Sequence, residues 1–127
     1  MQKDFDKWND KKKKLNSVVF DNYLHTREVW WCSLGINIGF EQDGKHQSFE
    51  RPVLVVRKFS NDSVLIIPLS SKTKNNMFCF NFIHEGIPFS ALLSQIRLIS
   101  TKRLSRKIYQ MDSLLFNQIH TAMKRLL

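Results

Sequence analysis

The sequence predicts a small, mostly antiparallel β-barrel with a packed C-terminal helix. Three observations carry this. The chain has 127 residues, the length of one domain with enough core to fold without staples. Its middle is a series of short aromatic or β-branched runs separated by turn residues, the pattern of successive strands. Only its C-terminal end keeps a strong helical spacing of apolar residues.

Taken in chain order, residues 1–14 carry Lys3, Lys7 and the run Lys11 to Lys14 against Asp4, Asp6 and Asp10, a net +3 out of the chain's +9. Phe5, Trp8 and Leu15 form one weak helical stripe. We read residues 1–24 as a basic helical extension laid on the body, and residues 25–127 as the domain. Glu28 to Leu34 (EVWWCSL) is a strand closed by Gly35. Residues 35–50 are polar and turn-rich, a long loop of the kind that carries function. Pro52 to Val56 is a strand opening on a proline, which a first strand position tolerates. Asn61-Asp62 marks a tight turn, and Ser63 to Leu69 pairs back as a hairpin partner, with Pro68 marking an edge or bulge. Met77 to Phe82 is a further strand after the polar loop 71–76. Pro88 to Leu93 and Gln95 to Ile99 are two short strands or one bent one, and Leu104 to Ile108 is a last one. Asp112 is the expected N-cap of a closing helix whose apolar residues are Met111, Leu115, Ile119, Ala122, Met123 and Leu126.

The charge excess makes a polyanion, and nucleic acid above all, the leading partner class. Two cysteines and no secretion-signal pattern place the chain in the reducing cytoplasm. No apolar run reaches the roughly 18 residues of a membrane span, so no membrane partner is expected. Cys32 and Cys79 sit within strand patterns and read as core thiols. The histidines His25, His46, His84 and His120 show no ligand spacing, so neither metal nor other cofactor is expected. There is no glycine-rich phosphate loop.

One constellation stands out. The loop Gly39-Phe40-Glu41-Gln42-Asp43-Gly44 leads into Glu50-Arg51-Pro52, and the later strand ends in Pro68-Leu69-Ser70-Ser71-Lys72. A hairpin brings the start of one strand beside the end of the next, so Arg51 and Ser70 are expected close together. A guanidinium fork and a hydroxyl suit a phosphate group. Arg51 is equally able to form a salt bridge with Glu41 or Glu50. A partly exposed Arg51 is expected.

These residues resemble the MazF/PemK family of toxins from type II toxin–antitoxin modules. Arg27 to Leu34 resembles the family's "GDVYWVDL" strand. Gly39 to Gly44, an insertion through about Phe49, and Arg51 to Val56 resemble "GSEQxGxRPVLVV". Ile67 to Ser71 resembles "VxPLTS", and Leu92 to Leu104 resembles "LLxQIRTIDKxRL". The four blocks cover roughly residues 26–127. The resemblance implies an SH3-like barrel (MazF/PemK/CcdB-like), a homodimer, and a metal-independent, sequence-specific endoribonuclease acting on single-stranded mRNA. Attack by the ribose 2′-hydroxyl would leave a 2′,3′-cyclic phosphate and a 5′-hydroxyl. Arg51 matches the family's catalytic arginine, stabilising or protonating at the scissile phosphate. Ser70 matches the catalytic threonine, with Ser71 next to it. Glu41 and Gln42 match a loop lining the RNA groove, and Lys72, Gln95 and Arg97 complete the expected RNA-binding set. A cognate antitoxin with an acidic C-terminal segment is the implied protein partner.

The chain departs from some members. Phe40 replaces a histidine, Leu92 and Ser94 replace an Arg-x-Asp pair, and the insertion Lys45 to Phe49 brings His46 as a substitute base. Arg97, Lys102, Arg103, Arg106 and Lys107 fall in eleven residues without an acid. They suit phosphate contacts or an acidic antitoxin segment. Two rival readings remain open: a gyrase-poisoning toxin of the same fold, and a non-catalytic nucleic-acid-binding barrel.

Overall fold

The computed structural model describes residues 24–34 and 50–127. The N-terminal extension, the loop with Phe40, Glu41 and Gln42, and the insertion with His46 lie outside the described residues. Among the described residues, seven strands and one α-helix follow in order: β1 (Glu28–Ser33), β2 (Glu50–Lys58), β3 (Ser63–Ser70), β4 (Cys79–His84), β5 (Ile87–Leu92), β6 (Arg97–Ser100), β7 (Leu104–Gln110) and α1 (Ser113–Lys124). Short 3₁₀ turns at Leu93–Gln95 and Thr101–Arg103 flank β6.

All pairings are antiparallel, in the ladder order β4-β5-β3-β2-β1-β7, with β6 added to β3. The expected closed barrel is corrected here: the ladder curls, but among the described residues no backbone pairing joins its two ends. The ends meet through side chains instead. His84 of β4 stacks on Tyr109 of β7 with ring centroids 3.7 Å apart and planes 7° from parallel. Burial, and then the Glu85 carboxylate, push the Tyr109 hydroxyl up to about 12.

The β2–β3 hairpin forms because both segments are runs of β-branched and leucine residues, with polar residues at the turn. The Ser60 hydroxyl accepts a bond from Asp62 N (3.1 Å), and Thr101 donates from Oγ1 to Asn61 O (2.8 Å) and from N to Asp62 O (3.0 Å). The turn after β6 is thus fastened to the hairpin tip. β3 pairs with β2 as far as Pro68, opposite Val53, and then passes to β5 through Leu69 and Ser70. Pro68 has no N–H to give a ladder, and the change of partner comes directly after it.

Alternation along the strands gives the sheet two buried faces. One carries Trp30, Cys32, Val53, Val55, Val64 and Ile66, closed over by Ile99 and Leu104. The other carries Val29, Leu54, Ile67 and Leu69, covered by the β4–β5 hairpin and by Phe116, Ile119 and Met123 of α1. The cap of α1 is as expected: the Asp112 carboxylate accepts from Leu114 N (3.1 Å) and Leu115 N (3.2 Å).

Three local expectations shift. β4 starts at Cys79 rather than Met77, because Asn76 Oδ1 accepts from Phe78 N and Asn81 bridges to Lys74, holding the preceding residues in turns. Gln95 ends a 3₁₀ turn instead of opening a strand. Cys79 is half-buried, whereas Cys32 is a core thiol as expected.

Candidate functional site

β2 enters the sheet at Glu50-Arg51-Pro52, paired with β1 as Ser33–Glu50, Cys32–Arg51 and Trp31–Pro52. Alternation therefore puts Arg51 on the face of Cys32 and Val53, and Glu50 with Pro52 and Trp31 on the opposite one. The β2–β3 register, Val53 with Pro68, runs on toward Arg51 and Ser70 at the adjoining strand ends. Arg51 is 9% exposed and Ser70 6%. The expectation of a partly exposed Arg51 is corrected: its side chain leaves β2 on the face of the buried Cys32 and Val53. The Ser70 hydroxyl accepts from Lys72 N at 3.1 Å, which leaves its own hydrogen free to donate.

A cleft of about 210 Å³ opens beside this strand end. Arg51 and Ser71 line it together with Glu50, and its apolar walls are Trp31, Pro52 and Phe89. Ser71 and Lys72 are exposed, just past the end of β3. Gln95 is half-buried, and its Oε1 is buried without a hydrogen-bond partner. Arg97 sits on β6 opposite Ile66, on Arg51's face of the sheet. Glu41 and Gln42 lie outside the described residues.

The basic run divides by partner. Arg106 lies over the Trp31 ring, 5.2 Å from its centroid, and its Nη1 reaches Glu50 Oε2 at 3.7 Å. Lys107 Nζ pairs with Glu28 Oε2 at 3.1 Å. Arg103 donates from Nη1 to Ser33 O at 3.3 Å. Burial, and then the neighbouring Arg97 charge, lower the Arg103 pKa, though a guanidinium stays protonated throughout the working range. So the run is a set of individually placed cations rather than a uniform field.

Sequence reasoning missed Glu50, Trp31 and Phe89 as lining residues, and Arg106 as their neighbour. The two-residue spacing of Glu50 and Pro52 was the available signal, since it puts Glu50 on the face away from Arg51. Among the described residues, no group of three or more His, Cys, Asp or Glu is placed to hold a metal ion, and no helix is long and apolar enough to cross a membrane.

A family model described as PemK-like, MazF-like toxin of type II toxin–antitoxin system matches residues 25–127. No curated protein matches the chain significantly. Among solved structures, MazF from Deinococcus radiodurans superposes with a TM-score of 0.70 at 17% identity, over 84% of this chain and 97% of that one. The MazE–MazF complex from the same organism gives 0.64 at 14% identity, over 84% and 96%. An endoribonuclease from a mycobacterial species, in complex with its cognate antitoxin, gives 0.63 at 14% identity, over 81% and 93%. At these identities the likeness is one of fold.

Proposed function

The chain belongs to the PemK-like, MazF-like toxin family of type II toxin–antitoxin systems, and from that premise we propose that it is a metal-independent, sequence-specific endoribonuclease for single-stranded RNA. The observation that carries the reading is the placement of Arg51 and Ser70 at adjoining strand ends, beside an open cleft, within the matched region. The neighbouring fold relatives described as endoribonucleases support it.

The chemistry follows from the groups. The ribose 2′-hydroxyl loses its proton to solvent water as its oxygen attacks phosphorus, the bond to the 5′-oxygen breaks and that oxygen takes a proton from water, and a 2′,3′-cyclic phosphate and a 5′-hydroxyl result. Negative charge grows on the non-bridging oxygens in between. A guanidinium does not give up its proton, so Arg51 acts by stabilising that charge with a two-pronged hydrogen bond. The Ser70 hydroxyl, already fixed by Lys72 N, donates to the same phosphate, with Ser71 beside it on the cleft wall. Gln95 and Arg97 hold flanking RNA. A homodimer, and an antitoxin whose acidic segment covers this groove, complete the proposal; fold relatives solved with their antitoxins support the second.

The test is a long RNA incubated with the purified protein in EDTA, with the ends mapped. The expected result is cutting at a short motif with 5′-hydroxyl ends. Intact RNA from folded, dimeric protein overturns the reading. Arg51→Ala is expected to cut at least about a hundredfold more slowly. Because Arg51 is buried, its melting is measured in parallel to separate lost chemistry from lost fold.

A further inference from the structure

We propose that the cleft between Trp31 and Phe89 is a nucleobase subsite, and that Glu50 makes it selective for guanine. The inference rests on the ribonuclease reading for its ligand class, and on the cleft itself for the rest. At about 210 Å³ the cleft is smaller than the pockets that take drug-sized ligands, and it suits one flat ring system. Its walls are two aromatic side chains and Pro52, the surface on which an unstacked RNA base rests. Arg51 also borders the cleft.

Glu50 supplies the edge contact. It is 17% exposed and is the one carboxylate among the described lining residues. A carboxylate presents two acceptor oxygens and no donor. Guanine alone presents two adjacent donors, N1–H and the 2-amino group, on its Watson–Crick edge. Adenine and cytosine each set a donor beside an acceptor there, and uracil a donor between two acceptors. The fit is bidentate and charge-assisted for guanine and single for the others. Arg106 lies 3.7 Å from the carboxylate, with its guanidinium over Trp31. At that distance it leaves lone pairs on Glu50 for a base.

Binding to uncleavable RNA tests this apart from catalysis. Four 2′-O-methyl pentamers, UUXUU with X as G, A, C or U, are titrated against the full chain by fluorescence anisotropy at low salt. The wild type is expected to bind the G pentamer about tenfold or more tighter than the U pentamer. Glu50→Gln, which replaces one acceptor by a donor, is expected to bring the G pentamer to the level of the others. Trp31→Leu is expected to weaken all four alike, because stacking is indifferent to base identity. Melting of both variants is followed alongside. Equal wild-type affinity for all four, or an equal effect of Glu50→Gln on all four, overturns the guanine assignment while leaving cleavage of long RNA to stand by itself. Failure of all four to bind, together with intact long RNA, overturns the ribonuclease reading and this inference together.

Discussion

Two carboxylates of this sheet are set in matching surroundings and given different tasks. Glu28 lies beside Trp30 and Lys107; Glu50 lies beside Trp31 and Arg106. Adjacent residues of β1 and of β7 supply the two tryptophans and the two cations, and alternation sends them to opposite faces. Yet Glu28 is 3% exposed and accepts from His25 N (2.9 Å), Trp30 Nε1 (3.0 Å) and Lys107, whereas Glu50 faces a cleft, with the Arg106 guanidinium 3.7 Å away. A glutamate, a tryptophan and a cation make a filled structural site on one face and an open one on the other. What separates them is how many donors are spent within the protein before any ligand arrives.

The largest effect should come from emptying the filled site. Glu28→Ala leaves the buried Trp30 N–H and the His25 amide without their acceptor. We expect it to cost about 3 kcal/mol in urea unfolding, tempered because Lys107 is half exposed. Glu50→Ala should cost less than about 1 kcal/mol in the same measurement. Equal costs would erase the distinction.

Acid should sharpen it. Burial raises the Glu28 pKa, but the bonds from His25, Trp30 and Lys107 together outweigh burial and hold it below the ordinary 4.5. The folded state then takes up a proton less readily than the unfolded one. Glu28 contributes stability above the ordinary value, and that contribution is lost as pH falls through the lower folded value. Glu28→Gln is therefore expected to flatten the acid limb of the stability curve, read by melting between neutral pH and about pH 3. An unchanged limb would move the titration to another group. The smallest effect belongs to Arg106→Ala, whose stability change should stay within about 0.5 kcal/mol because Arg106 is mostly exposed.

Much of this arrangement was readable from residue order. The β2–β3 hairpin, the Asp112 cap and the helical face through Ile119 and Met123 follow from spacing and local chemistry, all within a few residues of chain, whereas buried Phe116 was not in the expected stripe. The approach of the start of β2 to the end of β3, seen as far as Val53 opposite Pro68, followed from antiparallel arithmetic. The rest depends on partners far apart in sequence. Nothing near Glu28 announces Lys107, and nothing near Glu50 announces Arg106, because period-two patterning gives a face but not a neighbour across it. The start of β4 was misplaced for a local reason: Met77 and Phe78 are apolar, but the amides and side chains around them are held by Asn76 and Asn81. Burial of Arg51 was hidden by its charge, which ordinarily marks a surface position.

The His84–Tyr109 stack has a consequence for how the molecule comes apart. A ladder closed by backbone pairing must break several cooperative bonds before its ends separate. Here the seam is a pair of rings, and the contact is lost when either ring turns over. Each outermost strand is then held by its ladder neighbour and by side-chain packing, so unravelling is expected to start from this seam and to reach the β1–β2–β3 centre last.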